Sequence, residues 1–150
     1  MERISGKELP DGLMEVMRQV QAYIDDAGMD KILLELMRTR VSQINGCAYC
    51  LDMHSKEAIH VGETLQRLIS VSAWREAPYF TPKERAVLEF AEILTRMDEG
   101  SDIDAIHQVL LNYFTKQDIA HLTLAIAQIN SWNRIVMSTG IVAGSYKVRS

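Results

Sequence analysis

Wherever this sequence runs for long without Gly or Pro, its apolar residues recur three and four positions apart. That spacing builds one apolar stripe on a helix, and no segment sustains the period-two alternation of a half-buried strand. The expected fold is therefore all-α. Pro10-Asp11 opens a first helix carrying Leu13, Val16, Met17, Val20 and Ile24, and Gly28 closes it. Asp30 is the natural cap of a second, with Leu33, Leu34, Met37, Val41 and Ile44 on its stripe as far as Asn45-Gly46. A third helix spans 48–61, and Thr64 caps a shorter one bearing Leu65, Leu68, Ile69 and Trp74. After the irregular stretch 76–80, Thr81-Pro82-Lys83-Glu84 sets a capping residue, a first-turn proline and a glutamate in the order a helix start requires. This helix is expected to bury Val87, Phe90 or Ala91, Leu94 and Met97, and to stop at Gly100. Asp102 caps the next, with Ile103, Ile106, Leu110, Tyr113 and Phe114 inward. Thr115 and Asp118 start the last, which runs to about Thr139, and residues 144–150 read as a tail.

At 150 residues the chain is expected to be one compact domain, 1–150, long enough to bury a core. Its net charge of −4 comes without any basic block, which argues against nucleic acid or an anionic membrane surface as partner. The first residues, Met1 to Glu8, are charged where a signal peptide is apolar, and no apolar run is long enough for a membrane span. A cytoplasmic location follows as the expectation.

In that compartment a lone pair of cysteines is catalytic or metal-binding more often than structural. Both cysteines of the chain lie in Ile44-Asn45-Gly46-Cys47-Ala48-Tyr49-Cys50-Leu51-Asp52-Met53-His54. The Asn-Gly pair turns the chain, so Cys47 falls in the first turn of the next helix, where free N–H groups and the helix dipole favour a thiolate. Cys50 and His54 follow on the same face. A structural zinc site needs about four ligands, and His60, His107 and His121 are dispersed, so no metal is expected. The eight methionines fill core gaps, since no spaced cluster of them suits copper.

The reading that remains is a redox dithiol with a base beside it, set against the plainer one of two inert buried cysteines. Cys50, one turn before His54, is expected to attack a peroxide. Cys47, nearer the turn, is expected to be the more exposed sulfur and to resolve the sulfenic acid as a disulfide. Glu35 has two readings. Periodicity puts it off the apolar stripe, on the surface near Lys31 and Thr39. A hairpin folded about Gly46 instead brings it near Glu57 and within a turn of His54, where it can orient the imidazole. Tyr49 reads as a packing residue, and Trp132-Asn133 equally as a subunit contact or a site wall.

Glu35, eleven residues, Cys47-Ala48-Tyr49-Cys50, three residues and His54 together resemble the signature of the alkylhydroperoxidase D-like (AhpD-like) branch of the carboxymuconolactone decarboxylase family. Residues 40–46, 55–58, 73–77 and 129–134 are similar to that branch as well. The resemblance implies an all-helical fold assembling as homo-oligomers, trimers or hexamers, and peroxidase activity; no cofactor is expected. It implies that Cys50 forms the sulfenic acid, Cys47 resolves it, and His54 and Glu35 relay the proton. The best-described members have histidine where this chain has Tyr49, which can donate a hydrogen bond but does not carry a proton near neutral pH. The expected partners are a peroxide and an external dithiol or thiol-protein reductant. The alternatives are a disulfide reductase serving a lipoyl or thiol-protein partner, and a non-catalytic redox-sensing binding protein.

Overall fold

The computed structural model describes residues 2–148. Among them are seven α-helices and no strand, as the periodicity predicts. They are α1 Leu13–Asp26, α2 Lys31–Asn45, α3 Ala48–His60, α4 Leu65–Ser70, α5 Pro82–Arg96, α6 Ile103–Leu110 and α7 Lys116–Thr139, with a 3-10 turn at Val71–Ala73.

Local chemistry sets most helix starts. The Asp30 carboxylate accepts from Ile32 and Leu33 N–H, at 2.9 and 3.3 Å. Thr81 and Thr115 each close a full capping box, with Glu84 and Asp118 respectively. Gly46, at φ 70°, ends α2 in the left-handed conformation that glycine adopts without a Cβ penalty, and its N–H closes on Ser42 and Gln43 carbonyls.

The core surrounds α2, which packs against α3, α5 and α7. Leu33, Leu34, Met37 and Val41 of α2 meet Val87 and Phe90 of α5 and Leu122, Ile126 and Ile129 of α7. A second cluster joins Leu36, Ala58, Leu68, Val71, Trp74, Phe80 and Leu88 beneath the 76–80 stretch. Because neighbours surround it, α2 is buried continuously from Leu33 to Thr39, charged residues included. Its burial is wider than the single stripe its sequence suggests.

Several positions differ from expectation. Helix α5 stops at Arg96, and Met97 takes the left-handed cap at φ 53° with its side chain exposed. Val16 and Ile103 are exposed too, because α1 and α6 each have only one flank against the core, and Tyr113 is exposed in the turn beyond α6. The segment after Gly140 is laid along α3. There Gly144 N–H donates to Asp52 at 3.0 Å, Lys56 Nζ donates to the Tyr146 carbonyl at 3.0 Å, and the Tyr146 hydroxyl bonds Glu57. The last two residues of the expected tail lie outside the described ones.

One buried carboxylate ties three parts of the fold together. Glu92 of α5 accepts from Trp74 Nε1 at 2.9 Å, Arg40 Nε at 2.7 Å and Arg75 Nη1 at 2.8 Å. Burial alone pushes this carboxyl up, but those hydrogen bonds outweigh it and hold it down at about 2. Glu92→Ala leaves the buried Trp74 indole N–H and the half-buried Arg40 guanidinium without their carboxylate and is expected to cost about 3–5 kcal/mol, read as a lower urea midpoint. A depressed folded pKa gives stability that is present above the ordinary value of 4.5 and lost as pH falls toward about 2. Glu92→Gln should therefore flatten the loss of stability in that window.

Candidate functional site

Gly46 reverses the chain, and α3 begins at once. Cys47 is the N-cap rather than a first-turn residue, and its sulfur accepts the Cys50 N–H at 3.4 Å. That contact and the helix dipole stabilise negative charge on Cys47. The two cysteines are joined as a disulfide, with Cα atoms 5.3 Å apart.

Neither sulfur is open to solvent. Cys47 is 0 % and Cys50 2 % exposed, in a cluster with Val136 and against Tyr49, Trp132 and Ile141. This corrects the expectation that Cys47 is the accessible thiol. Its cover comes from α7 and the segment after it, which sequence spacing around the motif cannot reveal. Trp132 thereby becomes a wall of the site.

One turn beyond Cys50, His54 is 4 % exposed, and its Nδ1 lies 2.7 Å from Glu35 Oε2. Glu35 is itself only 7 % exposed, so the surface reading from periodicity fails and the hairpin reading describes where it sits. Its other oxygen, Oε1, accepts from Arg38 Nη1 at 2.6 Å. Burial pushes the Glu35 carboxyl up, but the His54 hydrogen bond and the charges of His54 and Arg38 prevail and hold it below the ordinary 4.5. His54 Nε2 is buried without a hydrogen-bond partner among the described residues.

A cavity of about 800 Å³ reaches this pair, with Leu34, Met53, Trp132 and Tyr146 among its walls. Trp132 touches both the cavity and the cysteine cluster. The other histidines take no part in that arrangement. His107 stacks edge-on to Phe90 and His121 to Tyr23, at centroid distances of 5.5 and 5.7 Å, while His60 is exposed at the cavity rim. Among the described residues no three His, Cys, Asp or Glu side chains are grouped as metal ligands, and no helix is long and apolar enough to cross a membrane.

Sequence reasoning missed two supports. Arg38 is one; its one-turn spacing from Glu35 is the signal that could have found it. The other is a partly buried amide network behind the cysteine turn. Asn45 Nδ2 donates to Asn130 Oδ1 at 2.9 Å and to Asn133 Oδ1 at 2.8 Å, and Asn133 Nδ2 donates to Ser42 at 3.2 Å. These bonds pin the end of α2, and with it the cysteine turn, to α7. Asn133 is therefore a buried anchor and not a subunit contact.

The all-helical fold has AhpD-like neighbours among solved structures. The chain belongs to the carboxymuconolactone decarboxylase family, whose model matches residues 8–92. The uncharacterized protein YdfG of Bacillus subtilis (strain 168) is 35 % identical over 144 residues, covering 96 % of this chain and 98 % of its own. Alkyl hydroperoxide reductase AhpD of Streptomyces coelicolor is 40 % identical over 68 residues, 43 % of this chain but only 38 % of the reductase. The crystal structure of ATU0492 from Agrobacterium tumefaciens superposes with a TM-score of 0.90 at 33 % identity, over 97 % of this chain and 100 % of that one. ATU0492 is itself a protein of unknown function for which an AhpD role in antioxidant defence has been suggested.

Proposed function

We propose that this protein is a thiol-dependent peroxidase acting on organic hydroperoxides or hydrogen peroxide. The observation that carries the reading is the 2.7 Å Glu35–His54 contact one helical turn beyond a disulfide-forming cysteine. His54 Nε2 takes the Cys50 proton. The thiolate attacks a peroxide oxygen, the O–O bond breaks, and the departing alkoxide takes the proton back from the imidazolium and leaves as an alcohol. Cys50 is then a sulfenic acid. The Cys47 thiol attacks it, the S–S bond forms and water departs. An external dithiol reopens the disulfide by two exchange steps and is itself oxidised. Both sulfurs are buried, so a bulky dithiol reaches them only when the cover of Trp132 and Ile141 moves.

A panel of peroxides assayed against several dithiol donors tests this reading. Sustained peroxide consumption coupled to donor oxidation supports it. Disulfide exchange without peroxide turnover points to a disulfide reductase, and one slow oxidation without turnover to a redox sensor. Either result overturns the peroxidase.

Homo-oligomerisation belongs to the same proposal. Ile59, Leu65 and Ile69 are exposed along a groove between α3 and α4, an apolar surface that a second subunit would cover. Light scattering is expected to give a multiple of the 17.0 kDa chain mass. A monomer mass across a wide concentration range contradicts it.

A further inference from the structure

We propose that Arg38 is a positioning residue of the proton relay, fixing both the orientation of Glu35 and, through it, which nitrogen of His54 is the base. The inference rests on the relay reading given above. Arg38 is 4 % exposed and lies one helical turn from Glu35 on α2. The carboxylate divides its oxygens, Oε1 to Arg38 and Oε2 to His54. With Oε1 held, Oε2 has one direction left, toward the ring.

The consequence is chemical. An ionised Glu35 can only accept, so Nδ1 carries the hydrogen and Nε2 is left with its lone pair. A protonated Glu35 can donate to Nδ1, and the hydrogen then moves to Nε2. The nitrogen needed for Cys50 is lost in that tautomer. A carboxyl this deeply buried takes up a proton readily unless hydrogen bonds and charges hold it ionised. His54 is the first of these, and the Arg38 guanidinium adds a charge that does not titrate.

The surrounding charges do not replace it. Helix α1 brings Arg18, Asp25 and Asp26 to the same cavity, α2 adds Lys31, and α3 adds Glu57 and His60. The Tyr146 hydroxyl is bonded to Glu57. The hydrogen bonds and charges that act most on Glu35 are those of His54 and Arg38. Asp25 reaches Arg38 Nη2 only at 3.4 Å and is half exposed, so it offsets little of the guanidinium charge. A buried ion pair is weak evidence for stability, since an apolar pair of similar volume is often as stable. A role in the relay gives the charge a reason to be there.

The test follows alkylation of Cys50 by iodoacetamide against pH, in reduced Cys47→Ser protein with and without Arg38→Met or Arg38→Lys. Arg38→Met is expected to move the acid limb upward by about one pH unit or more, a loss of roughly tenfold on that limb. Arg38→Lys, which keeps the charge, should retain most of the parent profile. A folded Arg38→Met protein with an unmoved profile overturns the proposal and leaves Arg38 a structural residue. Should Arg38→Met not fold, ¹⁵N NMR of His54 in the reduced natural protein at pH 7 decides the matter. A hydrogen on Nδ1 supports the proposal, and a neutral ring with its hydrogen on Nε2 overturns it. Neither readout uses peroxide, so a protein that shows the shift yet consumes no peroxide sinks the peroxidase reading and leaves the positioning role intact.

Discussion

Cys50→Ser is expected to abolish peroxide consumption, whereas Cys47→Ser should be oxidised once and then stop. The asymmetry follows from where each sulfur sits along the start of α3. Cys50 has the His54 imidazole one turn on, an acceptor that can take its proton and return it to the leaving alkoxide. Cys47 has the Cys50 N–H at 3.4 Å and the start of α3, which stabilise charge but supply no proton. The same contact makes Cys47 a good leaving thiolate when the disulfide is reopened at Cys50. In Cys47→Ser the sulfenic acid has no resolving partner, and a dimedone-type reagent should trap one equivalent at Cys50, read by mass spectrometry. Trapping at Cys47 in Cys50→Ser, with activity retained, reverses the assignment. The helix start would then outweigh the imidazole.

Removing the base has the next largest effect. General-base assistance is typically worth about 10²–10⁴ in rate, and His54→Ala should slow Cys50 alkylation near neutral pH on that scale. The deficit should shrink at high pH, where the thiol ionises unaided. Glu35→Gln should act in the same direction more weakly, since the base remains but loses the carboxylate that orients it and stabilises the positive charge it acquires. The double variant should cost little beyond His54→Ala, because residues acting as one unit are non-additive. Acid should impair the relay as well. The Glu35 carboxyl is held below 4.5, so the Glu35–His54 contact is present above that pH and is lost as pH falls through the lowered value. A Glu35→Gln protein with unchanged rate and profile leaves Glu35 a buried structural carboxylate.

What the sequence made legible is what short-range chemistry decides. Asp30, Thr81 and Thr115 cap helices through their own side chains, and Gly46 closes α2 through its own φ, so neighbouring residues announce each of them. The alignment of Cys50 and His54 needs nothing but helix geometry. Burial of Arg38 is not legible, and that of Glu35 only through the hairpin about Gly46, because a stripe drawn on α2 alone assumes a solvent face. That face is taken by α3, which folds back over it at Gly46. The cover on Cys47 comes from Trp132, Val136 and Ile141, more than eighty residues along the chain, and no spacing near the motif encodes it. Asn45, Asn130 and Asn133 look like ordinary helical polar residues until α2 and α7 are brought side by side. Met97 departs from expectation for the opposite reason. Its spacing fits the α5 stripe, but the helix stops one residue short of it.

The most direct test of the dithiol peroxidase is a single turnover without donor. Fully reduced protein is mixed with one equivalent of an organic hydroperoxide, and peroxide, alcohol and the Cys47–Cys50 disulfide are quantified together. One peroxide should be lost, one alcohol gained and one intramolecular disulfide formed per chain, with His54→Ala reaching the same end point far more slowly. Peroxide left intact beside a persistent dithiol, or a disulfide formed with no matching alcohol, contradicts the dithiol peroxidase.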